Sequence, residues 1–172
     1  MPPTVSRSGR SLPTTFLLDK SIVRGVFEAR ARIRAGRAPV REQALAAVAY
    51  QSLLEAGVTL YVTPETVRSA VRRDRRIAES VTGMATVLAK GRYLSRWARR
   101  LRDLNFTRED SVVLAYGSFG LDTGRRTSGA EAILTADQAL VRNFGEQHLG
   151  IVRRFEQMTR DLPLPCSRAR LP

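Results

Sequence analysis

The sequence predicts an α/β fold of three layers, in which a short, mainly parallel sheet is flanked by helices. Three observations lead there. Short apolar or β-branched runs at 14–18, 58–62 and 132–135 alternate with longer stretches whose apolar residues recur at three- and four-residue steps. Strands separated by helices pair in parallel, because each crossover brings the chain back to the same end of the sheet. A length of 172 residues with 43% hydrophobic side chains fits one domain with a real core.

In chain order, residues 1–13 are polar and punctuated by Pro2, Pro3 and Pro13, and are expected to form a flexible arm. Thr14-Thr15-Phe16-Leu17-Leu18 reads as a strand ending at Asp19. Ile22, Val26, Ala29 and Ile33 set a helix from 21 to about 34, stopped by Gly36, and Pro39 starts the next segment. Leu45, Val48, Ala49, Leu53 and Ala56 carry a second helix over 41–56, ended by Gly57. Residues 58–62 have the β-branched and aromatic weight of a buried strand. Thr63 can cap the next helix and Pro64 suits its first position; this helix becomes very basic through Arg72-Arg73-Asp74-Arg75-Arg76.

Another helical region is expected over 77–104, with a break at Gly83 or Gly91. Thr107 followed by Asp110 reads as the capped start of an apolar helix reaching Tyr116. Residues 121–130 form a Gly/Ser/Arg loop, and Ala132-Ile133-Leu134-Thr135 a third strand. Asp137 begins a helix running to about Phe144, and 149–155 reads as a last strand. From Leu162 onward, three prolines and two arginines predict an unpacked tail. The domain is thus expected over 14–158, with a Pro/Arg tail over 159–172.

Charge narrows the partners. Lysines and arginines number 29 against 16 acids, a net charge of +13. Such an excess attracts polyanions, although an Arg-rich soluble surface has the same composition. The single cysteine, Cys166, excludes an internal disulfide and a Cys-based zinc site. The first fifteen residues lack the apolar core of a secretory signal, and no apolar run approaches bilayer length. A cytoplasmic protein without a membrane partner is the expectation.

Four acids stand out against this basic background. Asp19, Glu65 and Asp137 follow the three strands, and Asp110 opens a helix. In parallel α/β sheets ligands bind at the carboxyl ends of the strands. Carboxylates gathered there suit hard cations such as Mg²⁺ or Mn²⁺, which take oxygen ligands and assist phosphodiester hydrolysis. Each acid also has a plainer reading, because all four sit where helices begin and acids cap or complement the helix dipole.

Four motifs stand out: Leu17-Leu18-Asp19-Lys20-Ser21, the Thr63-Pro64 opening after the second strand, Thr107-Arg108-Glu109-Asp110-Ser111-Val112-Val113-Leu114-Ala115, and Ile133-Leu134-Thr135-Ala136-Asp137-Gln138-Ala139-Leu140. Together they resemble the motifs of PIN-domain nucleases. Their order and spacing cover about 14–155, nearly the whole chain. The last two are the most specific. The resemblance implies a metal-dependent ribonuclease fold, found among toxins of bacterial toxin–antitoxin pairs and in RNA-processing factors. It implies that Asp19, Asp110 and Asp137 hold Mg²⁺ or Mn²⁺ and act in catalysis, with Ser21 and Thr135 as supporting hydroxyls. There is one departure: the family usually carries a glutamate where this chain has Ser69. Glu65, one turn earlier, substitutes for it, or the site works with three acids, or it is weakened and the chain binds RNA without cutting it.

The expected activity is that of a metal-dependent endoribonuclease acting on RNA, in the manner of a toxin. A non-catalytic RNA-binding module and a partner-binding subunit are the alternatives. The helices over 21–56 offer a groove for a second copy, making a homo-oligomer, or for an antitoxin. The arginines at 72–76 and 92–102 are either solvated helix faces or a track for the RNA backbone. Other residues read plainly. Asp122 suits a turn, the lone His148 a surface, and Trp97 and Tyr93 packing. No Gly-Lys-Ser/Thr follows the glycines at 117, 120 and 124, and no Ser-His-Asp or Cys-His set is available.

Overall fold

The computed structural model of the chain describes residues 12–160 together with Leu162 and Leu171. Most of the expected arm, and Cys166, lie outside the described residues. Four strands make a parallel sheet in the order β3-β2-β1-β7: β1 (Thr15–Leu18), β2 (Thr59–Val62), β3 (Thr86–Val87) and β7 (Ala132–Leu134). The register sets Leu17 beside both Tyr61 and Ile133, so β1 is central.

The sheet separates two cores, as a three-layer α/β arrangement requires. Successive strand residues point to opposite faces. Leu17 and Tyr61 enter one core, with Trp97, Leu101, Phe119, Ile151 and Met158. Leu18, Leu60 and Val62 enter the other, with Ile22, Val26, Tyr50, Ile77 and Val81. The second core is covered by α1 (Lys20–Arg34), α2 (Arg41–Glu55), α3 (Pro64–Arg73) and α4 (Arg75–Thr82). The first is covered by α5 (Leu94–Arg102), α6 (Arg108–Phe119), α7 (Gln138–Glu146) and α8 (His148–Arg160).

Local sequence explains most boundaries. Gly36 and Gly57 follow the ends of α1 and α2 at φ of 68° and 65°, the left-handed region that glycine enters without a Cβ clash. The Thr63 hydroxyl accepts the Thr66 amide at 3.1 Å and Pro64 begins α3, as read from sequence. Thr107 caps α6 in the same way, accepting the Asp110 amide at 3.1 Å.

Several expectations are corrected. Residues 149–155 are helical, not a strand: Ile151, Phe155 and Met158 are the buried positions of α8, a spacing of four and three that belongs to a helix. The expected helix over 77–104 is cut into α4, the short strands β3 and β4 (Ala89–Lys90), and α5. The basic run at 72–76 is divided as well, because Asp74 ends α3 and accepts the Arg76 and Ile77 amides to start α4. The loop over 121–130 holds β5 (Gly120–Asp122) and β6 (Thr127–Ser128), which pair with β4 in an antiparallel sheet. The α2 stripe is rotated: Ala46 and Tyr50 are buried, whereas Leu45 and Val48 are exposed. Leu162 and Leu171, assigned to an unpacked tail, are partly buried against the first core.

Candidate functional site

The β1–β7 ladder continues one step past its strands, with the Asp19 amide donating to the Leu134 carbonyl at 3.0 Å. This sets Asp19 at the C-terminal edge of the sheet beside the residues that follow β7. Asp19 is 5% exposed. Its Oδ1 accepts the Lys20 amide at 2.7 Å. Its Oδ2 accepts the Ser21 hydroxyl at 2.7 Å and the Thr135 hydroxyl at 2.8 Å, with the Ser21 amide at 3.4 Å. Each hydroxyl has one proton, and both are committed to Asp19. The 3.3 Å approach of Ser21 Oγ to Thr135 Oγ1 is therefore a contact without a shared proton.

The same two hydroxyls accept from the chain beyond β7. Ser21 Oγ takes the Ala136 amide and Thr135 Oγ1 takes the Asp137 amide, each at 3.0 Å. Residues 135–137 are thereby pinned over the end of β1. Asp137 then caps α7, its Oδ1 accepting the Ala139 and Leu140 amides at 2.9 and 3.1 Å. Asp19 caps α1 likewise. The capping role open to both acids is present, and it leaves acceptor capacity unused: Oδ2 of Asp137 has no partner among the described residues, and Oδ1 of Asp19 has one.

The other two acids stand apart from this hydrogen-bonded cluster. Asp110 is half-buried in the first turn of α6, and its carboxylate has no hydrogen-bond or ion-pair partner among the described residues. Its neighbour Glu109 pairs with Lys20, which ties the start of α6 to the residue after Asp19. Glu65 is exposed and pairs with Arg68 at 3.1 Å. It lines a cavity of about 460 Å³ with Lys20, Ser69, Arg108 and Glu109. Burial, and then the Glu65 charge, hold the Tyr116 hydroxyl above its usual pKa, so the field of Glu65 reaches α6. Asp137 lines a different cavity, of about 430 Å³, with Ser21, Arg24 and Glu42.

Among the described residues, no three His, Cys, Asp or Glu side chains stand together as a metal-binding group. The donor chemistry nevertheless suits a hard divalent ion. Asp19, Asp110 and Asp137 offer carboxylate oxygens with lone pairs free, and no cationic side chain neutralises any of the three among the described residues. Carboxylates without a counter-charge repel one another, which favours their separation until a cation offsets the cost.

Sequence reading missed Lys20, Arg108 and Glu109. Glu109 and Asp110 are adjacent acids in one helical turn, pointing about 100° apart, and the pattern alone does not say which faces the cleft. Asp122 is a turn acid, as read: it is buried and accepts the Gly124 and Arg125 amides and the Tyr61 hydroxyl. His148 is exposed and Trp97 buried.

The fold and the cluster define an α/β domain with carboxylates and hydroxyls at the C-terminal edge of a parallel sheet. Comparison with protein-family models, curated proteins and solved structures gives no match. Among the described residues, no helix is long and apolar enough to cross a membrane.

Proposed function

We propose that this chain is a PIN-like, Mg²⁺- or Mn²⁺-dependent endoribonuclease. The observation that carries the reading is Asp19, a buried carboxylate at the end of the central strand, oriented by Ser21 and Thr135 and paired with no cationic side chain among the described residues. Two hydroxyls and two amides hold this carboxylate, and its remaining acceptor capacity suits a hard cation. Asp19, Asp110 and Asp137 would hold the cation, and Glu65 is the fourth candidate. When bound, the ion supplies charge neutralisation and water activation for phosphodiester hydrolysis. The protein's own part is to fix Asp19 through two hydroxyls, to hold residues 135–137 over the strand end, and to attract the polyanion with its net charge of +13.

A second reading is a PIN-like module that binds RNA without cutting it. Ser69 in place of the usual glutamate favours it, as does the separation of Glu65 from the Asp19 cluster. Leu45 and Val48, exposed on α2, support a surface there for a second copy or an antitoxin.

The deciding experiment follows a labelled single-stranded RNA with Mg²⁺ or Mn²⁺, using the unaltered chain, Asp19→Asn and Asp137→Asn. Cleavage lost in both variants supports the nuclease. An unaltered chain that binds RNA and leaves it intact with either metal supports the binding module instead.

A further inference from the structure

Ser69 lines three concavities at once. One is the 460 Å³ cleft beside Lys20, Glu65 and Arg108. The second, of about 360 Å³, lies along α3 beside Arg68, Arg72 and Arg73. The third is a small gap between α1 and α3. The first two share both Ser69 and Glu65, so they lie side by side along the exposed side of α3, and together they are treated as one groove. Positions 65, 68, 69 and 72 fall on one helical face by their three- and four-residue spacing.

We propose that this groove is the path of a single-stranded RNA backbone leading away from the cleft between Lys20 and Arg108, with Ser69 as its floor and Arg68, Arg72 and Arg73 as its phosphate contacts. The proposal rests on the RNA reading above and adds the route of the strand. Three features argue for it. Arg72 and Arg108 have no acidic partner among the described residues, and they stand at opposite ends of the groove. Arg68 and Arg73 pair with Glu65 and Glu28 through exposed contacts, 66% and 46% open on the arginine side, which contribute little and exchange readily for phosphate. The stretch along α3 is lined by Glu65, Arg68, Ser69, Arg72 and Arg73, with no apolar side chain, and apolar side chains enter only at the far cleft, as Val112 and Val113. A protein partner would need an apolar centre there, whereas a phosphate backbone does not.

Serine at position 69 is short and neutral, whereas a glutamate there would add one negative charge to a wall that both cavities share.

The test is fluorescence anisotropy of a labelled oligouridine in EDTA, so that binding is read without cleavage. It compares the unaltered chain with Arg72→Glu, Ser69→Glu and Arg153→Glu. Arg153 is exposed on α8, outside both arginine stretches, and its reversal changes net charge as much as that of Arg72 does, which controls for the overall field. The expected result is a roughly tenfold loss for Arg72→Glu and Ser69→Glu, a salt slope reduced by about one for Arg72→Glu, and a change under about twofold for Arg153→Glu. Unchanged binding by both groove variants would overturn the route and leave RNA binding standing. No binding by the unaltered chain would overturn both. All of the substituted positions are exposed, and circular dichroism melts would verify that each variant is folded.

Discussion

Thr135 and Asp19 are joined across the C-terminal edge of the sheet: the Thr135 hydroxyl donates to Asp19 Oδ2 at 2.8 Å and accepts the Asp137 amide at 3.0 Å. One side chain therefore orients one candidate metal ligand and fixes the backbone of another. Thr135→Val keeps the shape and removes both bonds. A hydrogen bond to a charged acceptor is worth more than a neutral one, and the site is half-buried, so the expected loss is about 2 kcal/mol. Urea unfolding reads it directly, and Thr135→Ser is expected to retain most of the stability. An unchanged midpoint in Thr135→Val would mean that the hydroxyl is not holding the site.

Asp137 has two roles to separate. It caps α7 through Oδ1, which takes two amides. Asparagine caps a helix as well as aspartate does, whereas alanine loses about 1 kcal/mol. Asp137→Asn is therefore expected to melt like the unaltered chain and to lose RNA cleavage, and Asp137→Ala to lose both. If Asp137→Asn cuts normally, the residue is a cap and nothing more.

The sequence made the layers readable where side chains obey a local rule. Thr63 and Thr107 cap the helices assigned to them, and Leu17 and Leu18 enter opposite cores as a strand demands. The failures have a common cause. Strands β3 to β6 are two or three residues long, below the length at which alternation shows, and they exist through pairing with distant partners, such as Ala89 with Leu121. In α8, Leu149, Ile151 and Val152 gave β-like local weight, but burial of Ile151, Phe155 and Met158 against the first core decided for a helix. Of the candidate site residues, Asp19, Ser21, Thr135 and Asp137 are close in the fold because β1 and β7 are neighbours. The alternation of strands and helices implied a parallel sheet but not that strand order. The Lys20–Glu109 pair depends on how α6 docks, and residues 89 positions apart leave no local trace of that.

Lys20 and Glu109 meet at the rim of the larger cleft, with side chains 52% and 72% exposed. Water screens such a pair, so its loss costs little stability. Glu109→Gln is expected to shift unfolding by less than about 0.5 kcal/mol. It also removes a negative charge from the cleft and releases the Lys20 ammonium for phosphate, so RNA affinity measured in EDTA is expected to rise severalfold. A large loss of stability would make the ion pair a structural clamp between α1 and α6. Unchanged affinity would place the RNA away from Lys20.

Three tyrosines give the fold an alkaline limit. Tyr50, Tyr61 and Tyr116 are each less than 5% exposed, and burial is the largest cause holding each hydroxyl above its ordinary value of 10.0. The buried bond from Tyr61 to Asp122 adds to this, as does the Glu65 charge near Tyr116. The folded chain therefore keeps these protons at a pH where the unfolded chain has released them. From the tyrosines alone, stability is independent of pH below about 10, and it falls as pH rises above that value because the unfolded state then binds fewer protons. The urea midpoint is expected to hold up to that point and then decline. Tyrosinate absorbance is expected to appear together with loss of the helical signal. If these tyrosines ionise near pH 10 while the helices persist, their hydroxyls are open to water and the two cores are looser than the buried side chains indicate.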